Sequence, residues 1–274
     1  MRTRTRTSLR DVPSPYGMWI ATFVVVLFMA PNLAVVGLAL AGGGLDELLS
    51  GAVEVTPTML VINLIVQLVL QFVVFGISLL PLLVAGRPYS RLLGPTRTTA
   101  AMVAIGLGTG VGVAIVSYTL NAIAVLVSGA QDPVEQQLLE DALAGGLPLL
   151  LVVIVAVVAA PLTEEVVFRG VLFRAMADRI NLGVGLVVSS AIFSVIHIEV
   201  VVSQPLALIG LFSVGLLLAV AYHVTGNLMV PILGHAVFNA ISLGLAVLVD
   251  RLDLDELVEL PSALLLGPLA PLLS

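Results

Sequence analysis

The sequence predicts an all-α fold, a polytopic transmembrane helical bundle of seven to eight helices. Of its 274 residues, 59% are hydrophobic and only 10% are charged, and the mean hydropathy is +1.18. A soluble domain carries about 25% charged residues, which coat its water-facing surface. The shortage of charge excludes an ordinary soluble protein and indicates that lipid is the solvent for most of the chain.

Seven apolar runs approach or exceed the roughly 20 helical residues needed to cross a bilayer. They lie at 16–42, 57–85, 100–127, 147–176, 183–204, 205–222 and 228–249. A shorter apolar stretch at 260–273 contains three prolines, and it is either a partial eighth span or a surface tail. No soluble domain separates the runs, so we expect a single membrane domain over 1–274.

The charged residues of the connections alternate in sign along the chain. Arginines precede the first span and occur in the loop at 86–99 and after the fourth span. The loops at 42–57 and 128–146 contain acids and no arginine. Because positive residues are retained on the cytoplasmic side, this alternation supports the predicted spans and places the N-terminus in the cytoplasm.

The fourth span contains ionisable residues, which are costly in hydrocarbon and therefore indicate function. Glu165 and Arg169 are four residues apart, so they share a helix face and can form an ion pair. Glu164 lies about 100° round the helix and is left to face a cavity. Pro161 removes a backbone hydrogen bond and would kink the helix. A purely structural ion pair explains Glu165 and Arg169 but leaves Glu164 without a partner.

Two of the three histidines also lie in predicted spans. His197 follows Phe193 by one helical turn in the fifth span, and His235 and Asn239 share a face of the seventh. Either pair alone has a structural explanation, such as a hydrogen bond between helices. Together with the acid pair they predict a site, although Glu164 and His197 would differ in depth by about 10 Å in straight helices.

These residue types can hydrolyse a peptide bond by two routes. A carboxylate and an imidazole can deprotonate a water and deliver the proton to the leaving amine, while a second His and an Asn stabilise the oxyanion. Alternatively, a divalent metal such as Zn binds to Glu164, His197 and His235 with an open position for water. Both routes stay open at this point.

Several other chemistries are excluded or disfavoured. The chain has no cysteine, so it has no thiol nucleophile, disulfide or Cys-based metal site. Alternating glycines occur in the third span, and no strand precedes them, so we predict close helix packing instead of a nucleotide-binding loop. They are Gly106, Gly108, Gly110 and Gly112.

Three motifs follow one another on separate predicted helices: Glu-Glu-x-x-x-Arg, Phe-x-x-x-His and His-x-x-x-Asn. In this order they resemble the motifs of the CPBP family, the CAAX protease and bacteriocin-processing proteins, also called Abi, to which the type II CAAX prenyl proteases are related. The resemblance covers about 147–249, which we take as the catalytic core. It implies a bundle of about eight helices around a water-accessible cavity. It also implies activation of water by Glu164 and His197, an oxyanion site at His235 and Asn239, and support by Glu165 and Arg169.

We therefore predict an intramembrane endopeptidase, a metallo- or glutamate-type enzyme, with CAAX-type processing as one form of its activity. The expected partners are membrane lipid and a membrane-associated peptide or protein substrate, and not nucleic acid. The alternative is a non-catalytic immunity or scaffold protein of the same family. A transporter is disfavoured because no internal repeat is evident. The short, lysine-free and cysteine-free chain favours a prokaryotic cell membrane.

Overall fold

The computed structural model describes residues 14, 16–29, 57–84, 94, 98–128, 146–197 and 206–252. This part of the chain contains helices and no strand, which confirms the all-α prediction. The stretch at 260–273 and most residues of the charged loops lie outside it. The described residues form seven helices: α1 (Met18–Met29), α2 (Pro57–Val84), α3 (Ala100–Ser128), α4 (Gly146–Arg179), α5 (Leu182–Val195), α6 (Ala207–Thr225) and α7 (Met229–Leu252).

Five of the described helices, α2, α3, α4, α6 and α7, are long and apolar enough to cross a membrane. The described parts of α1 and α5 are apolar but shorter. Outward-facing side chains are apolar as well, for example Phe72, Ile115 and Val158, which are 55%, 63% and 60% exposed. In water such a surface would be unfavourable, so the chain is an integral membrane protein.

Two glycines bring α3 into close contact with α7. A Cβ atom at Gly106 would lie 2.9 Å from Cβ of Leu233, and one at Gly110 would lie 2.5 Å from the carbonyl oxygen of Gly234. No atom lies within 4 Å of a Cβ atom built at Gly108 or at Gly112. The predicted role in helix packing therefore holds for Gly106 and Gly110, because small residues allow backbones to approach in lipid.

A tight turn reverses the chain between α6 and α7. Gly226 has φ +61° at the end of α6, a left-handed conformation that glycine adopts without steric cost. The side chain of Asn227 then accepts a hydrogen bond of 2.9 Å from the backbone N–H of Met229 at the start of α7. This turn directs α7 back along the bundle, where its polar residues face α4.

Helix α4 is not a uniform α-helix. Its segments Ile154–Ala159 and Val166–Phe173 are π-helical, and they flank the α-helical segment Ala160–Glu165 that contains both acids. π-Helical insertions are rare and frequently occur at functional sites. The disturbance predicted at Pro161 therefore takes the form of a change in helical hydrogen bonding directly before the acid pair.

Candidate active site

Asn239 of α7 compensates for the backbone bond that Pro161 cannot make. In the first π-helical segment the N–H of Ala160 donates to the carbonyl of Val155, five residues earlier. By the same pattern the carbonyl of Ala156 would bond to residue 161, but proline has no N–H. Nδ2 of Asn239 donates to that carbonyl instead, at 2.7 Å. The amide that the sequence assigned to an oxyanion site thus also holds α7 against the irregular turn of α4.

Glu165 is the centre of a buried ionic network. One of its oxygens, Oε1, accepts hydrogen bonds from Nη1 of Arg169 at 2.6 Å and from Nδ1 of His235 at 2.9 Å. The side chains of Glu165 and Arg169 are fully or almost fully buried. The ion pair predicted from the four-residue spacing is confirmed. The sequence did not predict that His235 would join it.

Arg169 links α4 to two further helices. Its Nη2 donates to the backbone carbonyl of Gly215 in α6 at 3.0 Å, and its guanidinium carbon lies 4.5 Å from the ring centroid of Phe193 in α5. A cation over an aromatic face is attracted to the ring electrons, most strongly where water is excluded. The buried charge therefore has a carboxylate, a carbonyl and a ring as partners.

Glu164 differs from its neighbour. It is only 7% exposed, and its oxygen Oε2 is buried and accepts no hydrogen bond from any residue that the structure describes. It lies within electrostatic range of His235 and Arg169. Oε2 of Glu165 is likewise buried without a hydrogen-bond partner among the described residues, but its Oε1 is held in the ionic network, whose hydrogen bonds do not include Glu164.

His197 does not lie inside the fifth helix, as the sequence predicted, but two residues beyond its end. Helix α5 ends at Val195, and the backbone N–H of His197 donates to Ser194 at 3.3 Å, not to Phe193. Instead, the ring nitrogen Nδ1 of His197 donates a hydrogen bond to the carbonyl oxygen of Phe193, at 2.7 Å. The side chain therefore replaces the backbone donor that would have continued the helix.

Both site histidines lie close to the ring of Phe193 in α5. The ring centroid of Phe193 lies 5.1 Å from that of His197 and 5.9 Å from that of His235. His197 is within electrostatic range of His235 and Arg169, whereas no hydrogen bond in the described part of the chain joins it to Glu164. The structure thus places the six predicted residues in one region of the bundle, with three of them in direct contact.

The metal site at Glu164, His197 and His235 stays a prediction. Nδ1 of His235 is directed at Glu165, and Nδ1 of His197 is directed at a backbone carbonyl, so Nε2 is the ring nitrogen that each could offer to a metal. As the side chains are placed, no three His, Asp or Glu residues in the described part of the chain form a group that could hold an ion. No step is therefore assigned to a metal.

Sequence reasoning missed the backbone partners of the site. The carbonyls of Ala156 and Gly215 accept from Asn239 and Arg169, and the hydroxyl of Thr163 donates to the carbonyl of Gln71 in α2 at 3.4 Å. Every residue has a carbonyl group, so no motif identifies those that become acceptors. Pro161 was the one available signal, because it leaves a carbonyl in the preceding turn without a donor.

Residues 146–241 match the family described as Rce1-like, type II CAAX prenyl endopeptidase. A protein of Bacillus subtilis (strain 168) named "Putative membrane peptidase YdiL" is 29% identical over 89 residues, which are 32% of this chain and 34% of that protein. The match thus spans about a third of the relative's length. No solved structure matches the chain. The resemblance to the CPBP family of membrane proteases is confirmed over the segment that contains all six predicted site residues.

Proposed function

We propose that this chain is an intramembrane endopeptidase that hydrolyses a peptide bond of a membrane-associated substrate at Glu164. The observation that carries the proposal is the different environment of the two acids. Glu165 is bound to Arg169 and His235 through Oε1, whereas Glu164 takes part in neither bond, although it is also buried; Oε2 of both acids accepts nothing from the described residues. A structural ion pair needs only one of the two acids.

Glu164 would act as the general base. Its carboxylate takes a proton from a water molecule, and the water oxygen forms a bond to the carbonyl carbon of the substrate. The carbonyl becomes an oxyanion. When this intermediate collapses, the carbon–nitrogen bond breaks and the proton passes to the leaving amine.

His197 is oriented to assist this transfer. Nδ1 lies 2.7 Å from a backbone carbonyl, which can only accept, so this nitrogen carries the hydrogen. In the neutral ring Nε2 is then the acceptor. His197 therefore offers a lone pair to the second hydrogen of the same water.

His235 would stabilise the oxyanion. Its Nδ1 is directed at Glu165, which leaves Nε2 as the ring nitrogen that would donate to the oxyanion. Asn239 contributes as a positioning residue through its bond to Ala156.

The substrate class follows from the family that residues 146–241 resemble. We propose a peptide or protein in or at the membrane, with a prenylated CAAX-type C-terminus as the first candidate. We also propose that the chain resides in a prokaryotic cell membrane, on the basis of its short, lysine-free and cysteine-free sequence. The alternating loop charges support an N-terminus in the cytoplasm.

The test uses the full chain in lipid nanodiscs and a pair of internally quenched peptides. One peptide ends in a farnesylated Cys-aliphatic-aliphatic-Ser sequence, and the other has the same sequence without the prenyl group. We expect cleavage by the wild type and a loss of about 1,000-fold or more in Glu164→Gln. Ser190→Ala is the control, because the Ser190 hydroxyl donates to Leu186 within its own helix.

A wild-type chain that cleaves neither peptide, or a Glu164→Gln chain that cleaves at the wild-type rate, contradicts the proposal. The non-catalytic immunity or scaffold function then becomes the better explanation. Cleavage of the unprenylated peptide alone would support the protease function and would contradict the proposed CAAX-type substrate.

A further inference from the structure

Helix α2 carries three carboxamide side chains at four-residue intervals, Asn63, Gln67 and Gln71, in a stretch whose other residues from 61 to 75 are apolar. We refer to these three side chains as the carboxamide row. An amide group in hydrocarbon is unfavourable unless it forms hydrogen bonds. Polar groups in spanning helices therefore face the protein interior or a polar cavity.

The carboxamide row lies on the side of α2 that faces the bundle. Leu64 and Val74 share this side and are buried, whereas Phe72 and Val73 are 55% and 48% exposed on the opposite side. Gln67 and Gln71 are partly buried. The row thus borders the interior and is not a lipid-facing stripe.

At Gln71, the backbone of α2 contacts the residue that precedes the acid pair. The hydroxyl of Thr163 donates to the backbone carbonyl of Gln71 at 3.4 Å, and Thr163 directly precedes Glu164. From there α2 follows α4 back to its first residues, since it contacts each segment of α4 from Gly146 to Glu165. The row therefore extends from the site along the adjacent helix.

Gln71 has an unused acceptor. Its Oε1 is buried and accepts no hydrogen bond from any residue in the described part of the chain, as is also the case for Oε2 of Glu164. Buried polar atoms in native proteins are almost always paired. A donor from outside the chain would satisfy this oxygen.

The spacing of the row matches an extended peptide. Four residues of an α-helix rise about 6.0 Å. Two residues of an extended chain rise about 6.4–6.8 Å, and after two residues the backbone N–H and C=O groups again point to the same side. The flexible glutamine side chains can absorb this small difference. Successive carboxamides can therefore contact successive peptide groups along one edge of an extended segment.

We propose that the carboxamide row binds the backbone of the substrate in an extended conformation, with Gln71 accepting a peptide N–H beside the scissile bond. This inference rests on the proposed protease function and specifies how the substrate is held. A helical substrate that unwinds for cleavage exposes N–H and C=O groups that lipid cannot satisfy. A carboxamide offers both an acceptor and donors, so recognition acts on the backbone and tolerates many side chains.

The first test does not depend on cleavage. The chain has no cysteine, so Gln71→Cys introduces a single thiol, and Val73→Cys is its lipid-facing control. Only a hydrated thiol ionises and reacts, so a methanethiosulfonate ammonium reagent should label position 71 about tenfold faster than position 73. The quenched farnesylated peptide should slow labelling at position 71 and leave position 73 unchanged.

The second test isolates the hydrogen bond. Gln71→Leu should raise the KM for this peptide about tenfold with little change in kcat, because the bond holds substrate and transition state alike. Ser78→Ala is the control on the same helix, since the Ser78 hydroxyl donates to Val74. Replacing single peptide N–H groups by ester oxygens should weaken wild-type cleavage about 3- to 10-fold at one position, and Gln71→Leu should abolish that penalty.

Equal labelling at positions 71 and 73, or equal ester penalties in the wild type and Gln71→Leu, overturns the inference. If the wild type cleaves the peptide but the ester penalties are equal, the proposed protease function is retained and substrate binding by the carboxamide row is rejected. If no peptide is cleaved but the peptide still protects position 71 from labelling, peptide binding by the row is retained and the proposed protease function is rejected.

Discussion

Nδ1 of His235 lies 2.9 Å from Oε1 of Glu165, a contact between residues 70 positions apart in the chain. The same oxygen accepts from Arg169 at 2.6 Å. This shared atom joins α7 to α4 and fixes His235 in the orientation that the proposed oxyanion role requires. We therefore expect Glu165 to contribute to the stability of the bundle.

Glu165→Gln should therefore destabilise the protein. The substitution preserves the size of the side chain but leaves the Arg169 guanidinium buried without its carboxylate, which costs about 3–5 kcal/mol. Denaturant titration of the protein in micelles measures the change. The double variant Glu165→Gln with Arg169→Met should recover part of the loss, because both charges are removed. An unchanged free energy of unfolding in the single variant would show that the pair contributes little.

Asn239→Ala should cost stability in a manner that depends on Pro161. Removing Nδ2 leaves the Ala156 carbonyl unpaired in the membrane, and an unsatisfied buried group costs about 1–3 kcal/mol. Pro161→Ala supplies a backbone N–H that can satisfy this carbonyl. The cost of Asn239→Ala should therefore fall in the Pro161→Ala background, as measured by a double-mutant cycle of unfolding free energies. Equal costs in both backgrounds would show that Asn239 and Pro161 contribute to stability independently.

His197→Asn should reduce cleavage while the fold is retained. The asparagine amide can replace Nδ1 as the donor to the Phe193 carbonyl, but it has no counterpart of Nε2. Loss of a group that assists proton transfer lowers the rate by about 100- to 10,000-fold. Cleavage of the quenched peptide gives the rate, and thermal unfolding checks the fold. His223→Asn is the matched control, because His223 lies at the end of α6 with its ring against Phe173.

Gly110→Ala should destabilise the contact between α3 and α7. The new Cβ would lie 2.5 Å from the backbone oxygen of Gly234, so the helices must separate, and such overpacking costs about 1–3 kcal/mol. Gly112→Ala is the control on the same helix, since nothing lies within 4 Å of its Cβ position. Equal melting temperatures for the two variants would contradict the packing described here.

Chelation should leave cleavage unchanged. The proposed reaction uses the side chains of Glu164, His197 and His235 and assigns no step to a metal. Treatment with 1,10-phenanthroline, followed by a measured rate for the quenched peptide, checks this. A loss of activity that zinc restores would instead support a metal at Glu164, His197 and His235.

The sequence alone determined that this is a helical membrane protein, and it identified the residues of the candidate site. Apolar runs of about 20 residues can satisfy their backbone in lipid only as helices, and charge in lipid is costly enough to identify Glu164, Glu165 and Arg169. The Glu165–Arg169 pair followed from helical spacing alone, because both partners lie on one helix. These conclusions depend on composition and local geometry, which a sequence contains.

Only the tertiary structure decided how the site is assembled. The contact of His235 with Glu165, the bond from Asn239 to Ala156 and the position of Arg169 over Phe193 each join separate helices. Their partners depend on how the helices are rotated and how deep they lie, and the periodicity of one helix does not specify either. The end of α5 before His197 was likewise not predictable, because a side chain took the place of a backbone donor there. Local spacing fixes contacts within a helix, whereas contacts between helices depend on the packing of the whole bundle.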